Sequence, residues 1–373
     1  MKIIVGGQAI LGETGGVGVY TQSLIQELAK DANISELRIL ANNRLWHLSE
    51  IDPHGKPDSD PSQTPMDLLK KIMPSGVKQF VGRRLREHRL SQSDGFLLHE
   101  TNHLLLQRFQ PAIVTIHDLS CLLYPEFHPP ARAKIFTQHL RTTAQRAAHI
   151  ITVSNTVRTE VINHFGLSEQ DVTAIPLATS HLAARSNVTP PKPETPYFLV
   201  VGALEPRKNI GLILDAILSL SRRNIEVKVV HVGPPGWANQ NIMARLKWAQ
   251  ERGLWDELGV VTPAHLSALY SSATALLYPS VYEGFGLPPF EAKAYGCPVV
   301  LSDIPVFREL HKEGVVWVSG RDFEELAEAM AQLLSDHDEA SRLGLAAQNG
   351  SNRVSWRETA KATVAVYKQF YPQ

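Results

Sequence analysis

The sequence predicts an α/β protein with two domains, each built on a parallel sheet that helices cover on both faces. The chain has 373 residues, about twice the length of an ordinary domain. Short apolar runs alternate with helical patterns through both halves, and this alternation is typical of βα units and parallel sheets. Residues 183–195 contain three prolines and lack periodicity, which indicates a linker between the halves.

The expected organisation follows from these observations. We expect a first domain over residues 1–182, a linker over residues 183–195, a second domain over residues 196–355 and a final helical segment over residues 356–373. Parallel sheets place ligands beyond the carboxyl ends of their strands. Because candidate site residues follow strands in both halves, the simplest arrangement is two doubly wound domains that face one another across a cleft.

Composition limits the function classes that fit this chain. Its 37 Lys and Arg residues balance 37 Asp and Glu residues, which argues against extensive nucleic-acid binding. Cys121 and Cys297 lie in apolar surroundings, so reduced core thiols are expected rather than a disulfide. No apolar run is long enough for a transmembrane helix, and the N-terminus is typical of a first strand rather than a signal peptide. We expect a soluble, cytoplasmic protein.

The first strand and the turn after it form the first candidate ligand site. The apolar run Lys2–Gly6 ends in glycine, and a helical pattern begins after a glycine-rich turn that contains Gly15, Gly16 and Val17. Such a turn presents backbone amides to an anion. It does not match the dinucleotide-binding pattern of glycines, and no acidic residue ends a strand about 20 residues further on. A turn without any ligand role is the alternative.

The rest of the first half continues as strands and helices. The pattern predicts strands at 37–41, 95–100, 112–116 and 171–175, a helix-to-strand passage at 144–153, and a helix at 156–165 capped by Ser154 and Asn155. His117 and Asp118 directly follow the strand at 112–116, at the end where parallel sheets place ligands. An imidazole there could donate to a sugar hydroxyl. A lone histidine is more often structural, and this alternative stays open.

Two polar segments of the first half allow other interpretations. Asp58, Ser59 and Asp60 look like the Asp-x-Asp motif of metal-dependent sugar transferases, but no apolar strand precedes them to hold them rigid, so we assign no metal site. Residues 66–90 are rich in lysine and arginine with apolar residues between them. This pattern fits either a membrane-surface patch or a pair of core-packed helices with a solvated basic face.

The second half begins with a strand and a basic turn. Its pattern predicts strands at 197–201, 227–233, 258–261, 273–278, 298–302 and 315–319. It also predicts a helix that begins at residue 210 and helices at 263–272, 323–334 and 356–370. Arg207 and Lys208 lie between the first of these strands and the helix that begins at Ile210. Two cations beside the amides of a helix N-terminus can hold a diphosphate. An ordinary basic surface is the alternative.

Residues 281–297, with the sequence VYEGFGLPPFEAKAYGC, hold the densest group of candidate residues. Glu283 lies in the turn after a strand, and Glu291 is expected in the first turn of a helix that Pro288 and Pro289 open. Gly284, Phe285, Gly286 and Leu287 lie between the glutamates, and glycines let the backbone approach a ligand and present its amides. Carboxylates accept from hydroxyls, and helix-end amides donate to anions, so the segment suits a polyhydroxylated ligand with a charged group. A solvated loop is the alternative.

Four segments, taken in order, resemble the motifs of one family. They are Gly15-Gly16-Val17, Thr115-Ile116-His117-Asp118, the phosphate segment GALEPRKN at 202–209, and YEGFGLPPFEA at 282–292. The last segment resembles the Glu-x7-Glu signature of retaining, nucleotide-sugar-dependent glycosyltransferases of family 4. The resemblance covers nearly the whole chain and implies the GT-B fold, with an acceptor-binding and a nucleotide-sugar-binding Rossmann-like domain. It also implies that residues 356–373 cross back to the first domain.

The resemblance implies which residues meet the donor diphosphate. By position, Arg207 and Lys208 hold it from the second domain. The glycine turn meets it from the first domain, through Gly15, Gly16 and Val17. Some family members carry an arginine directly after the glycine of the phosphate segment, whereas this chain has Ala203, so the positive charge falls on Arg207 and Lys208.

The resemblance also implies how the sugar is held. Glu291 accepts from the ribose hydroxyls, and Glu283 holds the donor sugar together with the amides of Phe285, Gly286 and Leu287. His117 approaches the reacting bond, so the implied catalytic residues are His117, Glu283, Arg207 and Lys208. The family it resembles needs no metal or other cofactor, and attack assisted by the substrate phosphate, without a covalent nucleophile, is the implied mechanism.

The sequence also suggests a donor, a class of acceptor and three alternative functions. The GGVGVYT and GALEPRKN segments look like those of bacterial O-antigen and capsule mannosyltransferases, which implies GDP-mannose or a related donor such as GDP-rhamnose. A glycan or lipid-linked acceptor would account for residues 66–90 as a peripheral contact with the inner membrane. The alternatives are a non-hydrolysing sugar-nucleotide epimerase, a non-catalytic nucleotide-sugar binding protein and, with least support, an NAD-dependent enzyme.

Overall fold

The computed structural model describes residues 1–11, 15–42, 44–51, 88, 90–178, 195–350 and 354–372. Asp58, Ser59 and Asp60, nearly all of the basic stretch 66–90 and residues 183–194 of the predicted linker lie outside these ranges. The chain forms two compact units, and each is described by itself. Unit 1 comprises Met1–Leu119, Lys134–Pro176 and Trp356–Gln373, and unit 2 comprises Ser120–Ala133 and Leu177–Ser355.

Unit 1 is organised around a seven-stranded sheet. Its strands are β1 (Lys2–Gly6), β2 (Glu36–Ala41), β3 (Arg44–His47), β4 (Phe96–Glu100), β5 (Ala112–Ile116), β6 (His149–Thr152) and β7 (Val172–Ala174). Their order is β3-β2-β1-β4-β5-β6-β7, and every pair is parallel except β2–β3 at the edge. The strand order reverses between β1 and β4, the place where sheets of this kind bind ligands.

Unit 2 contains a six-stranded, fully parallel sheet. Its strands are β8 (Phe198–Val201), β9 (Val229–Val232), β10 (Trp255–Glu257), β11 (Ala275–Tyr278), β12 (Val299–Ser302) and β13 (Val315–Val318). Their order is β10-β9-β8-β11-β12-β13. This is the strand order 3-2-1-4-5-6 of a doubly wound sheet, with its reversal between β8 and β11.

Helices connect the strands in both units. They are α1 (Gly16–Leu28), α2 (Ser120–Leu123), α3 (Pro130–Arg146), α4 (Asn155–Phe165), α5 (Ile210–Arg222), α6 (Gln240–Glu251), α7 (Pro263–Ser272), α8 (Leu287–Ala294), α9 (Pro305–Leu310), α10 (Phe323–Ser335), α11 (His337–Asn349) and α12 (Trp356–Phe370). The predicted cap of α4 is confirmed, because Ser154 Oγ accepts from the amide of Val157. None of the described helices combines the length and the apolar character that spanning a membrane requires.

The four central strands of unit 2, β8, β9, β11 and β12, are buried on both faces, which explains why they appear in the sequence as continuous apolar runs. Phe198 and Val200 of β8 belong to one buried cluster, on which α5 and α10 pack. Leu199, between them, belongs to a second cluster with α7 and α8. This alternation confirms the predicted fold class of two doubly wound α/β domains, with the antiparallel edge strand β3 as an addition.

The last helix belongs to unit 1, where α12 packs against α1. Tyr367 on α12 is fully buried, and its hydroxyl lies 2.6 Å from Nδ1 of His99 in β4. The Tyr371 hydroxyl accepts from the amide of Lys2 and donates to the carbonyl of Gly95, both at 2.9 Å. These bonds attach the segment to the first and fourth strands of the sheet.

The segment Ser120–Ala133 groups with unit 2, although its sequence position lies inside the predicted first domain. Trp237 Nε1 donates to the carbonyl of Phe127 at 2.7 Å, and the rings of Tyr124 and Tyr282 pack with centroids 5.3 Å apart. Such long-range contacts leave no periodic signal in the sequence. The predicted domain boundaries stay a prediction, since residues 179–194 lie outside the described chain.

Most predicted elements agree with the structure within a few residues, but one strand is wrong. A strand was expected at 258–261, whereas β10 ends at Glu257. Trp255 in β10 is buried, while Leu258 and Val260 are 41% and 70% exposed, so the apolar run that suggested a strand lies in an exposed loop. The helices α3, α6 and α11 were not predicted because most of their surface is polar and exposed.

Both cysteines are buried and free, as predicted. Burial raises the pKa of the Cys297 thiol to about 12. The thiol is therefore protonated at neutral pH, and this form is a poor nucleophile.

Gly233 marks a close approach between two strand ends of unit 2. It follows β9 with a φ of 154°, and an added Cβ would lie 2.1 Å from the carbonyl oxygen of Gly202, which follows β8. We expect Gly233→Ala to lower the free energy of unfolding by about 2–4 kcal/mol, because a strained backbone and overpacking act together. Chemical denaturation measures this loss.

Gly253→Ala is the matched control for this variant. Its φ of 70° is also positive, but no atom of the described residues lies within 4 Å of the added Cβ, so only the backbone strain of about 1–2 kcal/mol remains. Equal losses in the two variants would contradict the close approach of Gly233 to Gly202.

Candidate active site

The strand ends that meet in unit 2 carry most of the predicted donor-binding residues. β8 and β11 are neighbours at the place where the strand order reverses, and ligands bind beyond the carboxyl ends of strands at such places. The segment after β8 contains Arg207 and Lys208, and the segment after β11 contains Glu283. The topology therefore places these residues side by side, although Lys208 and Glu283 are 75 positions apart.

Hydrogen bonds fix the basic turn against the segment after β11. Pro206–Lys208 forms one 3₁₀ turn, and Asn209, with a left-handed φ of 60°, precedes α5. The side-chain amide of Asn209 donates to the carbonyl of Pro279 at 3.1 Å. The amide of Val281 donates to the carbonyl of Arg207 at 2.9 Å. These bonds hold the turn that carries both cations in register with the Glu283 segment.

Glu283 lies between the two cations. Its Oε2 is 2.7 Å from Nη1 of Arg207, and its Oε1 is 2.6 Å from Nζ of Lys208. Glu205 adds a contact of 3.3 Å between its Oε2 and Nη2 of Arg207. We call these four residues the charge cluster. Their side chains are only 7–14% exposed, and two positive charges balance two negative ones, as buried charges require.

Two hydroxyl groups complete the surroundings of Glu283. Ser280 Oγ donates to Oε1 of Glu283 at 2.9 Å, and the Tyr278 hydroxyl accepts from Nζ of Lys208. The ammonium of Lys208 also lies 4.4 Å from the centroid of the Tyr278 ring, where the ring face attracts a cation. Ser280 and Tyr278 therefore help to fix the positions of both charged groups.

Burial and charge pairing act in opposite directions on Glu283. Burial raises its pKa, but attraction to Arg207 and Lys208 and the hydrogen bonds from them outweigh burial and lower the pKa to about 2. Burial lowers the pKa of Lys208, and Glu283 opposes that change. Burial, followed by the charge of Glu283, raises the pKa of Tyr278 well above its ordinary value. At neutral pH, Glu283 is therefore ionised and Tyr278 is protonated.

Glu291 lies on α8, and its predicted place in the first turn is wrong. The helix begins at Leu287, one residue before Pro288, so Glu291 is its fifth residue. The side chain is 7% exposed. Its Oε2 accepts a hydrogen bond of 2.7 Å from the hydroxyl of Tyr270 on α7. A buried tyrosine thus contacts this carboxylate.

The residues between the two glutamates form the N-terminal end of α8. Gly286 has a left-handed φ of 84°, and the ring of Phe307 would lie 3.0 Å from an added Cβ. The Phe285 ring is buried and stacks on Phe290 with centroids 5.0 Å apart. The first amides of a helix lack intrahelical partners, so the backbone at Gly286 and Leu287 can supply donors to a ligand, and the amide of Phe285 directly precedes them.

In unit 1, Gly15 and Gly16 start α1. Gly15 caps the helix with a φ of −80°, and none of the residues that the structure describes places an atom within 4 Å of an added Cβ. Neither its backbone conformation nor packing against the described residues therefore requires glycine. Val17 follows in the first turn, and its carbonyl accepts from Thr21 Oγ1 at 2.8 Å. Among the described residues, the space beside this helix N-terminus is open, which suits an anion that approaches closely.

His117 lies just after β5 and is 8% exposed. Its Nε2 is 2.8 Å from the carbonyl oxygen of Thr101, which can only accept, so Nε2 carries the proton of the neutral ring. Burial lowers the pKa of His117, against the effects of this hydrogen bond and of Asp118. The single N–H of the neutral ring is therefore used within the protein. The ring would offer Nδ1 to a sugar as an acceptor, not the donor that the sequence suggested.

A buried polar network beside His117 was not found from the sequence. The ring of Tyr20 meets His117 edge-on with centroids 5.0 Å apart, and its hydroxyl lies 2.9 Å from Thr115 Oγ1. His99 Nε2 lies 2.8 Å from Thr115 Oγ1, and His99 Nδ1 contacts the hydroxyl of Tyr367. These residues come from α1, β4, β5 and α12, so no local spacing in the sequence connects them.

The structure groups the predicted residues in two sets. Arg207 and Lys208 both contact Glu283 directly in unit 2, where Glu291 and the α8 amides also lie. His117 belongs to unit 1, together with the glycine turn. The sequence missed the groups that support these residues, chiefly Tyr278, Ser280 and Tyr270. Only the position of Tyr278 and Ser280, next to Glu283 at the end of a strand, was a signal that could have revealed them.

Two family models together match nearly the whole chain. A model of glycosyl transferases group 1 matches residues 184–350, and a model of Glycosyltransferase Family 4 matches residues 14–180. The chain belongs to the family 4 glycosyltransferases.

Individual relatives of this glycosyltransferase agree with that assignment. The O-antigen chain mannosyltransferase B of Escherichia coli is 28% identical over 99% of this chain and 100% of its own length. The O-antigen chain mannosyltransferase RfbU of Salmonella typhimurium is 30% identical over 65% of this chain and 66% of its own length. The solved sucrose-phosphate synthase of Thermosynechococcus elongatus has a TM-score of 0.71 at 19% identity, with 99% of each chain covered, which supports the GT-B fold.

The ionised state of Glu283 predicts how the stability of this glycosyltransferase depends on pH. The folded-state pKa of about 2 lies below the ordinary value of 4.5. The carboxylate therefore stabilises the fold above pH 4.5, and this contribution is lost as the pH falls from 4.5 toward 2. We expect the stability advantage of the wild type over Glu283→Gln to shrink by about 2 kcal/mol between about pH 5 and about pH 3. Urea denaturation of both proteins at both pH values measures this difference in the free energy of unfolding.

Glu328→Gln is the matched control, because it removes an exposed ion pair with Arg223. Exposed pairs contribute little, so its difference from the wild type should stay constant within about 0.5 kcal/mol over the same pH range. If the Glu283→Gln difference were equally constant, Glu283 would not be a charge-paired carboxylate in the folded protein.

Proposed function

We propose that this glycosyltransferase moves mannose, or a related deoxyhexose such as rhamnose, from a GDP-linked donor to a glycan or lipid-linked acceptor. The reaction retains the configuration of the transferred sugar, needs no metal ion and serves the synthesis of a bacterial surface polysaccharide. The observation that carries the proposal is the buried contact of Arg207 and Lys208 with Glu283 at the strand-order reversal of unit 2.

The charge cluster has the chemistry that binding a nucleotide-diphosphate sugar requires. A guanidinium and an ammonium donate charge-assisted hydrogen bonds to phosphate oxygens. Because Glu283 and the backbone hold both cations in place, little side-chain freedom is lost when the diphosphate binds. A carboxylate has about four acceptor positions. Arg207, Lys208 and Ser280 use three of those on Glu283, so one remains for a hydroxyl of the sugar.

The remaining predicted residues have complementary roles in this proposal. In unit 2, Glu291 accepts from the ribose hydroxyls, and the sugar is also held by the amides of Phe285, Gly286 and Leu287. In unit 1, the phosphate is contacted by the amides of the glycine turn, at Gly15, Gly16 and Val17. His117 approaches the sugar beside the reacting bond, through Nδ1 or its backbone.

The proposed reaction breaks the bond between the anomeric carbon and the diphosphate oxygen. Negative charge develops on the departing diphosphate, and Arg207 and Lys208 stabilise it in a site where little water weakens the interaction. The acceptor hydroxyl attacks the oxocarbenium-like carbon from the face that the diphosphate leaves, and its proton passes to a phosphate oxygen. Configuration is therefore retained, and no residue serves as a covalent nucleophile.

Metal independence follows from the same two cations. A divalent metal ion can assist transfer by neutralising the charge that develops on phosphate oxygens. Arg207 and Lys208 supply positive charge at this position from the protein itself. The proposal therefore assigns the role of a metal to these side chains.

The donor sugar and the class of acceptor rest on similarity. The two bacterial relatives are named as O-antigen chain mannosyltransferases, and mannosyltransferase B aligns with this chain from end to end. We extend mannose transfer and polysaccharide synthesis to this protein on that basis. GDP as the carrier of the sugar, and a contact of residues 66–90 with the inner membrane, are further parts of the proposal.

Two rival functions would use the same donor site. A non-hydrolysing epimerase would convert the donor without an acceptor, and a non-catalytic binding protein would hold the donor without turnover. The family match favours a transferase over both.

Donor binding and transfer test the proposal together. GDP-mannose at about 100 times its dissociation constant should stabilise the fold by about 2.7 kcal/mol, and EDTA should leave this shift unchanged because Arg207 and Lys208 hold the diphosphate. The UDP and ADP sugars should give smaller shifts. GDP-mannose with a lipid-linked glycan should yield a product of retained configuration, measured by NMR, whereas GDP-mannose alone should remain unchanged.

Two double variants test whether the transfer rate depends on the cations of the charge cluster. Arg207→Ala with Lys208→Ala should lower the transfer rate at least about 100-fold, because the charge stabilisation of the leaving group is lost. Arg222→Ala with Arg223→Ala, which removes two exposed cations at the end of α5, should leave it unchanged. An undiminished rate in the first double variant would contradict the diphosphate assignment. Donor conversion without acceptor would indicate the epimerase, and binding without turnover the binding protein.

A further inference from the structure

A fully buried tyrosine holds the carboxylate of Glu291. Tyr270 on α7 is 0% exposed, and its hydroxyl donates to Oε2 of Glu291 on α8 at 2.7 Å. Burial first, and then the charge of Glu291, raises the pKa of Tyr270 well above its ordinary value of 10. The phenol therefore keeps its proton and remains a hydrogen-bond donor at every pH at which the protein would work.

A second tyrosine restrains the first. The ring of Tyr295, just after α8, lies nearly parallel to that of Tyr270, with 6° between the planes and 6.2 Å between the centroids. The Tyr295 hydroxyl donates to Ser267 Oγ at 2.8 Å, and Ser267 Oγ donates to the carbonyl of Pro263 at 2.8 Å. Two side-chain bonds thus join α7 to α8, one of them at Glu291. The Tyr270 hydroxyl is held in place relative to the carboxylate.

We propose that Tyr270 positions Glu291 for recognition of the donor ribose and so sets the preference of the enzyme for ribonucleotides over deoxyribonucleotides. The inference rests on the proposed function, in which Glu291 accepts from the ribose hydroxyls. With about four acceptor positions on a carboxylate, one bond from Tyr270 is compatible with bonds from the 2′- and 3′-hydroxyls. Tyr270 acts through Glu291 and is a positioning residue.

The reason for selectivity is the cost of fixing a flexible side chain. A glutamate that loses one of its hydrogen-bond partners has more conformational freedom, and ordering it when the ligand binds weakens binding. A nucleotide that lacks the ribose hydroxyls gains nothing from an ordered Glu291. The contribution of Tyr270 should therefore appear with ribonucleotides and disappear with their dideoxy analogues, whereas a purely structural role would affect both.

Tyr270→Phe removes a single oxygen and tests this inference. We expect the affinity for GDP, measured by calorimetry, to fall about 3- to 10-fold, because the more mobile Glu291 side chain must be ordered when the ribose binds. The weaker affinity for 2′,3′-dideoxy-GDP should change by less than about 2-fold, since that ligand makes no bond to Glu291. In the transfer assay, KM for GDP-mannose should rise, while kcat stays within about 3-fold, because the lost interaction acts on donor binding.

Tyr197→Phe is the matched control. Its hydroxyl donates to the carbonyl of Leu269 on the same helix at 2.8 Å, and its ring lies in the same buried cluster as Tyr270. The variant therefore loses a comparable bond without touching Glu291, and its GDP affinity should match the wild type. If Tyr270→Phe does not fold, Tyr295→Phe, which loses the bond to Ser267, should give a smaller loss that is again confined to GDP.

The outcomes separate this inference from the function on which it rests. A loss confined to GDP supports the positioning role of Tyr270. If the wild type binds GDP but the tyrosine variants bind it equally well, or lose GDP and its dideoxy analogue alike, Tyr270 does not position Glu291, and the proposed function is unaffected. If the wild type does not bind GDP, the proposed GDP donor is wrong and this inference falls with it.

Discussion

The contact of Glu283 with Arg207 and Lys208 is the interaction on which the candidate donor site depends. Two cations in a buried place lose hydration and repel each other, so they require a fixed counter-charge. Glu283 supplies it through contacts of 2.7 and 2.6 Å, and its pKa falls to about 2. The carboxylate therefore stays ionised at neutral pH, and the positive charges remain where a diphosphate can meet them.

The sheet topology makes this contact possible. β8 and β11 are sequence-distant strands that lie side by side where the strand order reverses, so the segments that follow them meet. Backbone features then set the distances: Gly233 lets its strand end approach Gly202, and the left-handed Gly286 lets the chain turn into α8. Unit 1 repeats the reversal between β1 and β4, with the glycine turn after β1 and His117 after β5. Both units thus present their chemistry at the carboxyl ends of strands.

The sequence predicted the parts of this arrangement that depend on local pattern. Strands buried on both faces appear as apolar runs, and charged residues at strand ends, such as Arg207 and Glu283, indicated the site by residue type and place. Features that depend on distant contacts were not accessible. The bond from Tyr270 to Glu291 and the contact of Trp237 with Phe127 join residues with no shared spacing. β10 was misplaced because an exposed loop is as apolar as a strand, and Glu291 because the helix starts before its prolines.

A crystal structure of the protein with bound GDP-mannose tests the proposed donor site most directly. We expect oxygens of the diphosphate to lie within about 3 Å of the Arg207 guanidinium and the Lys208 ammonium, the distance of charge-assisted hydrogen bonds. We also expect Glu283 to contact a hydroxyl of the sugar. A diphosphate bound away from both cations, with the contact of Glu283 to Arg207 and Lys208 unchanged, would show that these charges stabilise the fold and do not hold the donor.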